Sequence, residues 1–100
     1  MKFTCELKSA EIFQFEGMFF VFGVVVKHTS SRFKKGDWLR SSFISKIHED
    51  ECAVCTQNNI YKLDKISKAI ELNDGEFDLT QQGVSPSEIL ALRDKFRVKH

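Results

Sequence analysis

Proline occurs once and glycine five times in these 100 residues, which leaves no material for a polyproline stalk, a collagenous repeat or a glycine-rich linker. Long apolar runs are also missing. The longest, Met18 to Val26, holds nine residues with Gly23 counted, whereas a membrane-spanning helix takes roughly 20. It predicts a buried strand and no membrane partner. Glu6 and Glu11 stand where an export signal would need its apolar stretch. Three cysteines, an odd number, make no disulfide framework. The expectation is reduced thiols in a cytoplasmic protein. An excess of one charge is lacking too: 15 Lys and Arg against 14 Asp and Glu leave +1, without the basic surplus that coats nucleic acid wholesale.

Phenylalanine, by contrast, is abundant, with ten residues against one Tyr and one Trp. At 42% hydrophobic and 29% charged, the chain is too apolar for disorder and long enough for one domain, residues 1–100, around a single aromatic core.

Phe3, Cys5 and Leu7 alternate with Lys2, Thr4, Glu6 and Lys8, the period-two pattern of a strand with one wet face. Ile12 to Phe15 reads as a second short strand. Gly17 offers a bend before Met18 to His28, whose apolar residues fill both faces and predict a central strand covered on each side, with Gly23 marking a bulge or sharp curvature. A basic turn over Thr29 to Asp37 leads into a strand over Trp38 to Ile47. Two hairpins follow by their turn chemistry. Asn58-Asn59 as a two-residue loop puts Val54, Thr56, Tyr61 and Leu63 on one face, and Asp74-Gly75 as a second sets Leu72 opposite Phe77 and Ile70 opposite Leu79.

At the C-terminus four helix-start signals coincide: Ser85 as N-cap, Pro86 at the first helical position, Glu88 completing a capping box, and a Val84 to Ile89 staple. The helix is expected over about 86–97, with Ile89, Leu92 and Phe96 on its apolar stripe. The predicted fold is mainly β, of the α+β class: a single curved antiparallel sheet or small open barrel of about seven strands, capped by this helix.

Candidate chemistry is sparse. Cys52 and Cys55, with His48 upstream and Cys5 elsewhere, are zinc-ligand types. Residues three apart in a strand face opposite ways, however, and Ala53-Val54 lacks the turn chemistry that would bring both thiolates to one ion. His28 beside Ser30 and Ser31 supplies a base and hydroxyls, but no nucleophile elbow or phosphate loop frames them. No catalytic residue, metal site or cofactor is expected. From Lys27 to Arg40 five cations, Lys27, Arg32, Lys34, Lys35 and Arg40, face one acid, Asp37, with Phe33 and Trp38 interleaved. Cations meet phosphates and aromatic faces stack on bases. The candidate binding residues are therefore Arg32, Phe33, Lys34, Lys35, Trp38 and Arg40, and the alternative is a solvated basic hairpin whose two aromatic rings return to the core.

Arg32-Phe33, Gly36-Asp37, Ser41-Ser42 with Ile44, and Thr56-x-Asn58-x-x-Tyr61-x-Leu63 together resemble a pattern of small uncharacterised proteins of phages, plasmids and integron cassettes. The resemblance spans about residues 22–63. It implies an accessory protein of a bacterial mobile element and brings no established active site.

The functional expectation is a non-enzymatic binding or structural module that contacts a protein partner or a second copy of itself. The alternatives are nucleic-acid binding through the hairpin 27–40 and a small-molecule enzyme of unnamed chemistry.

Overall fold

The computed structural model describes residues 2–96. Seven strands form one sheet: β1 (Cys5–Phe15), β2 (Met18–His28), β3 (Trp38–Arg40), β4 (Lys46–His48), β5 (Ala53–Cys55), β6 (Ile60–Leu63) and β7 (Ile70–Glu71). A 3-10 turn at Glu49–Glu51 precedes β5, and two helices, α1 (Asp74–Gln81) and α2 (Pro86–Phe96), close the described chain. The fold is mainly β, of the α+β class, as its patterning predicts. Arg97 and the Phe96 side chain lie outside the described residues.

Alternation in β2 sends Phe19, Val21 and Val25 to one face and Phe20 and Phe22 to the other. Strand β1 does the same with a change of parity. Cys5 and Leu7 share a face with Ala10 and Ile12 because the chain bulges at Ser9, whose φ is 52°, and the register slips between Lys8 and Glu11. A bulge shifts the two-residue period by one, so β1 reads as two short strands in sequence while running unbroken for 11 residues. The amides exposed at the bulge are taken up by Asp64, whose carboxylate accepts from Ser9 N at 2.8 Å and Ala10 N at 3.0 Å. Burial opposes the Asp64 charge, but these backbone bonds hold its carboxyl below the usual range. Gly23 lies opposite this bulge. A Cβ there would sit 3.0 Å from Leu7 Cβ, so only glycine lets the two strands approach.

The strand order is β3-β2-β1-β6-β5-β4, with β7 also on β1. Ile44 N donates to Phe19 O of β2 at 2.6 Å, and the next amide, Ser45 N, donates to Cys55 O of β5 at 2.8 Å. In a flat sheet β2 and β5 would stand about 14 Å apart, yet neighbouring residues of one chain are only about 3.8 Å apart. The sheet is therefore rolled, and residues 41–45 tie its two margins together without a ladder that closes it. The roll encloses one core, Cys5, Leu7, Ile12, Val21, Leu39, Val54, Tyr61 and Leu63 among its members. A second core lies outside the sheet, where Phe13, Phe20 and Phe22 meet Leu72 and Ile89.

Four expectations need correction. The sheet is mixed, because β6 and β7 both join the free edge of β1 parallel to it. The strand expected over Trp38 to Ile47 is two strands on opposite margins, separated at Ser41, whose N still donates to Val21 O at 2.9 Å while its Oγ, accepting from Val21 N at 3.0 Å, stands in for its carbonyl. The turn at Asn58-Asn59 holds four residues, closed by Thr56 N to Asn59 O at 2.9 Å, with Val54 opposite Tyr61. That is a shift of two, which preserves the face, so Val54, Thr56, Tyr61 and Leu63 are all buried as predicted. Asp74-Gly75 makes no hairpin and instead opens α1. Asn73 Oδ1 accepts from Glu76 N at 2.9 Å while Glu76 Oε1 accepts from Asn73 N at 3.0 Å, a reciprocal capping box that satisfies helix-start donors better than a turn would.

The box predicted at α2 is present, with Glu88 N on Ser85 Oγ at 3.2 Å and Ser85 N on Glu88 Oε1 at 3.0 Å. Glu11 of β1 anchors the same helix end by accepting from Ser87 N at 2.7 Å. Among the described residues no helix is long and apolar enough to cross a membrane.

Candidate functional site: a basic and aromatic depression

The β2 to β3 turn is held by its own backbone. Val25 N donates to Asp37 O at 2.7 Å and Gly36 N to Val25 O at 2.8 Å. Asp37, the one acid of the basic stretch, uses Oδ2 to accept from Lys34 N at 2.8 Å. It makes no ion pair among the described residues. Among the described residues no carboxylate lies within salt-bridge distance of Arg32, Lys34, Lys35 or Arg40.

Beside this turn is an open depression of about 440 Å³ lined by Arg32, Phe33, Asp37, Trp38, Leu39, Arg40 and Gln81. Four of the six predicted binding residues, Arg32, Phe33, Trp38 and Arg40, are thus brought together. Lys34 and Lys35 are exposed on the turn, outside the lining.

Trp38 is 46% exposed. Its indole stacks on Phe22 with centroids 5.9 Å apart and planes within 7°, and it abuts Gly83, where a Cβ would come within 2.8 Å of the ring. Gly83 also has φ of 93°, a conformation that glycine alone adopts cheaply. The ring is positioned before any ligand arrives. Phe33 half returns to the core while stacking on His28 at 4.7 Å, so the two aromatic residues divide between the binding and packing readings.

Arg40 holds the most unusual charge. Its guanidinium lies 4.4 Å over the Phe77 ring and donates to Thr80 Oγ1 at 3.3 Å. Burial pulls its pKa below the ordinary arginine value, with Asp78 offsetting this in part. A partly buried cation with a ring and a hydroxyl for company is stabilised by an anion entering the depression.

A second cleft of about 280 Å³ adjoins through the His28–Phe33 stack and is lined in part by Phe3, Cys5, Glu6, Lys27, His28 and Lys62. Burial, then the Glu6 charge, pushes the Cys5 thiol up to about 11, so it is protonated and a poor nucleophile at neutral pH. Burial, then the nearby Arg32 charge, lowers the His28 pKa from its ordinary value. Its Nδ1 accepts from Ser30 N at 2.9 Å, and Ser30 Oγ accepts from Arg32 N at 3.2 Å. The Ser and His side chains therefore shape the turn and form no nucleophile–base pair with each other.

Cys5, Cys52 and Cys55 are free thiols. Cys52 caps the 3-10 turn at φ of 52°, ahead of the strand that carries Cys55. Among the described residues no three ligand-type side chains are grouped to hold a metal.

Gln81, Phe77, Thr80 and Gly83, which line or support the depression, escape the sequence reading because α1 is read there as a hairpin. The Asn73 to Glu76 spacing is the signal that could have found them.

Fold and site together define a small α+β domain, a rolled mixed sheet with a basic and aromatic depression at one margin. The chain belongs to the family described as Domain of unknown function (DUF6957), which matches residues 5–64. That span covers β1 to β6 and includes Arg32, Phe33, Trp38 and Arg40, while α1 and α2 lie beyond it. No curated protein and no solved structure matches the chain.

Proposed function

We propose that the protein is a non-enzymatic binding module that receives an anionic group of its partner in the depression between Arg32, Trp38 and Arg40. The observation that carries this reading is Arg40, partly buried among Phe77 and Thr80 with no carboxylate in salt-bridge distance among the described residues. The protonated Cys5 and the turn-bound His28 support binding over catalysis. Three free thiols support a reducing, cytoplasmic setting, and the sequence resemblance supports an accessory role in a mobile element.

Retention on immobilised heparin, a generic polyanion, tests the reading. Arg32→Gln and Arg40→Gln each remove one charge at the depression and are expected to elute at lower salt than Lys8→Gln, which removes one exposed charge elsewhere. Coincident elution of the three variants would count against the depression as the anion site.

Self-association is a second reading, favoured by Met18 at 42% and Phe43 at 49% exposure. Light scattering over a concentration series tests it, and a strict monomer overturns it.

A further inference from the structure

We infer that the partner is a single-stranded nucleic acid, held along a track that runs through both clefts; this rests on the anion-binding reading above. The two clefts share no lining residue, but one ring contact bridges them. His28 lines one, Phe33 lines the other, and their rings stack at 4.7 Å, so a strand crossing that stack would reach from Lys62 of β6 to Arg40 of β3. Cations and rings alternate along that path. Lys62 Nζ lies 5.7 Å from the Phe3 ring and Arg32 Cζ 5.5 Å from Phe33, both rings lining the clefts, while Arg40 Cζ lies 4.4 Å over Phe77, a ring of the outer core.

A folded acidic protein needs only the cations. The cations alone suffice for a carboxylate, whereas every nucleobase presents a π face, and stacking on aromatic side chains together with phosphate contacts is how single strands are held without sequence readout. Trp38, fixed by Phe22 and Gly83 but still 46% exposed, is the ring most available to a base. Two carboxylates line the track, and a third, Asp78, lies near Arg40. Asp37 is engaged with Lys34 N, and Glu6 lies at the far cleft; against them stand Arg32, Arg40, Lys27 and Lys62.

The test is anisotropy of a labelled oligothymidylate, with polyglutamate as competitor. Binding of the oligonucleotide is expected to weaken about tenfold over a fourfold rise in salt, and Trp38→Leu is expected to lose about tenfold in affinity with an unchanged circular dichroism spectrum. Lys62→Gln, remote from the depression, is expected to weaken binding about threefold because it removes a phosphate contact at the track's other end. Arg32→Gln, at an exposed position, provides a second variant should Trp38→Leu fold poorly. If oligothymidylate and polyglutamate bind alike and Trp38→Leu changes neither, nucleic acid is the wrong partner while anion binding stands. If Lys62→Gln has no effect, the track through both clefts is wrong. If neither polymer binds, the anion-binding reading falls with it.

Discussion

Thr56 buries a hydroxyl whose Oγ1 has no hydrogen-bond partner among the described residues. Its backbone closes the β5 to β6 turn through Asn59 O, so the side chain contributes shape and carries a desolvation cost. Thr56→Val keeps the shape and removes the polar atom, and is expected to stabilise the fold by about 1 kcal/mol in urea denaturation; a loss of stability would mean that the hydroxyl is satisfied in solution. The thiols give a graded series at the same scale. Cys5 is 2% exposed within the enclosed core, Cys52 packs against that core while half-buried, and Cys55 is half-buried without belonging to it. Serine substitutions should therefore destabilise in the order Cys5, Cys52, Cys55. The first should cost on the order of 1 to 3 kcal/mol if the new hydroxyl stays unpaired. Denaturant midpoints in the reverse order would contradict the burial pattern, and a zinc ion bound per chain and lost in both Cys52→Ser and Cys55→Ser would restore the metal reading.

Two helices open on the same device, Asn73 with Glu76 and Ser85 with Glu88. Only the second stands unopposed in the sequence. There Pro86 and the Val84 to Ile89 staple reinforce the cap, whereas Asp74-Gly75 inside the first box also spells a hairpin turn, and local chemistry alone cannot rank the two. Tertiary contact decides it. Glu76 receives Arg93 of α2 at 2.5 Å on each carboxylate oxygen, and Arg93 also donates to Glu71 O at 2.6 Å, a clamp available only if residues 74–81 are helical. The same clamp gives a pH dependence. The Arg93 bond holds the Glu76 carboxyl below its ordinary value of 4.5. A lowered folded pKa stabilises the protein fully above that ordinary value, and this stability is lost as pH falls through the folded one. Arg93→Met should cost about 1 kcal/mol at neutral pH, nearer to a surface pair than a buried one because the Arg93 side chain is 37% exposed. It should also flatten the decline in melting temperature below about pH 4.5. A decline as steep as in the parent protein would assign acid sensitivity to other carboxylates, Asp64 first among them.

At the scale of the molecule, what the sequence reveals divides along the distance between residues. Arg32, Phe33, Trp38 and Arg40 meet because they belong to one hairpin, so a local reading finds them; Phe77, Thr80 and Gly83 reach the same place from about 40 residues away, through a helical layer whose first helix is disguised. The roll of the sheet is equally hidden, since it depends on Ile44 and Ser45 bonding to strands that are not neighbours in the order. The two cores differ in the same way. The enclosed one draws its buried members from residues 5–63, while the outer one sets Phe13, Phe20 and Phe22 against Leu72 and Ile89, with Phe77 stacked 4.2 Å from Phe15 and tilted 5.1 Å from Phe20. The family match ends at residue 64, so it contains the sheet's phenylalanines and none of the helices that cover them here. A chain ending after Asp64 would return those three rings to water at about 2 kcal/mol each, a large share of the roughly 5 to 15 kcal/mol that holds a typical domain together. It is expected to bind the apolar dye ANS and to lose its cooperative melting transition, with an exposed apolar face where the helices should be. A sharp transition near that of the full chain, without dye binding, would show that the rolled sheet covers its outer phenylalanines by itself and that the helices serve the depression instead.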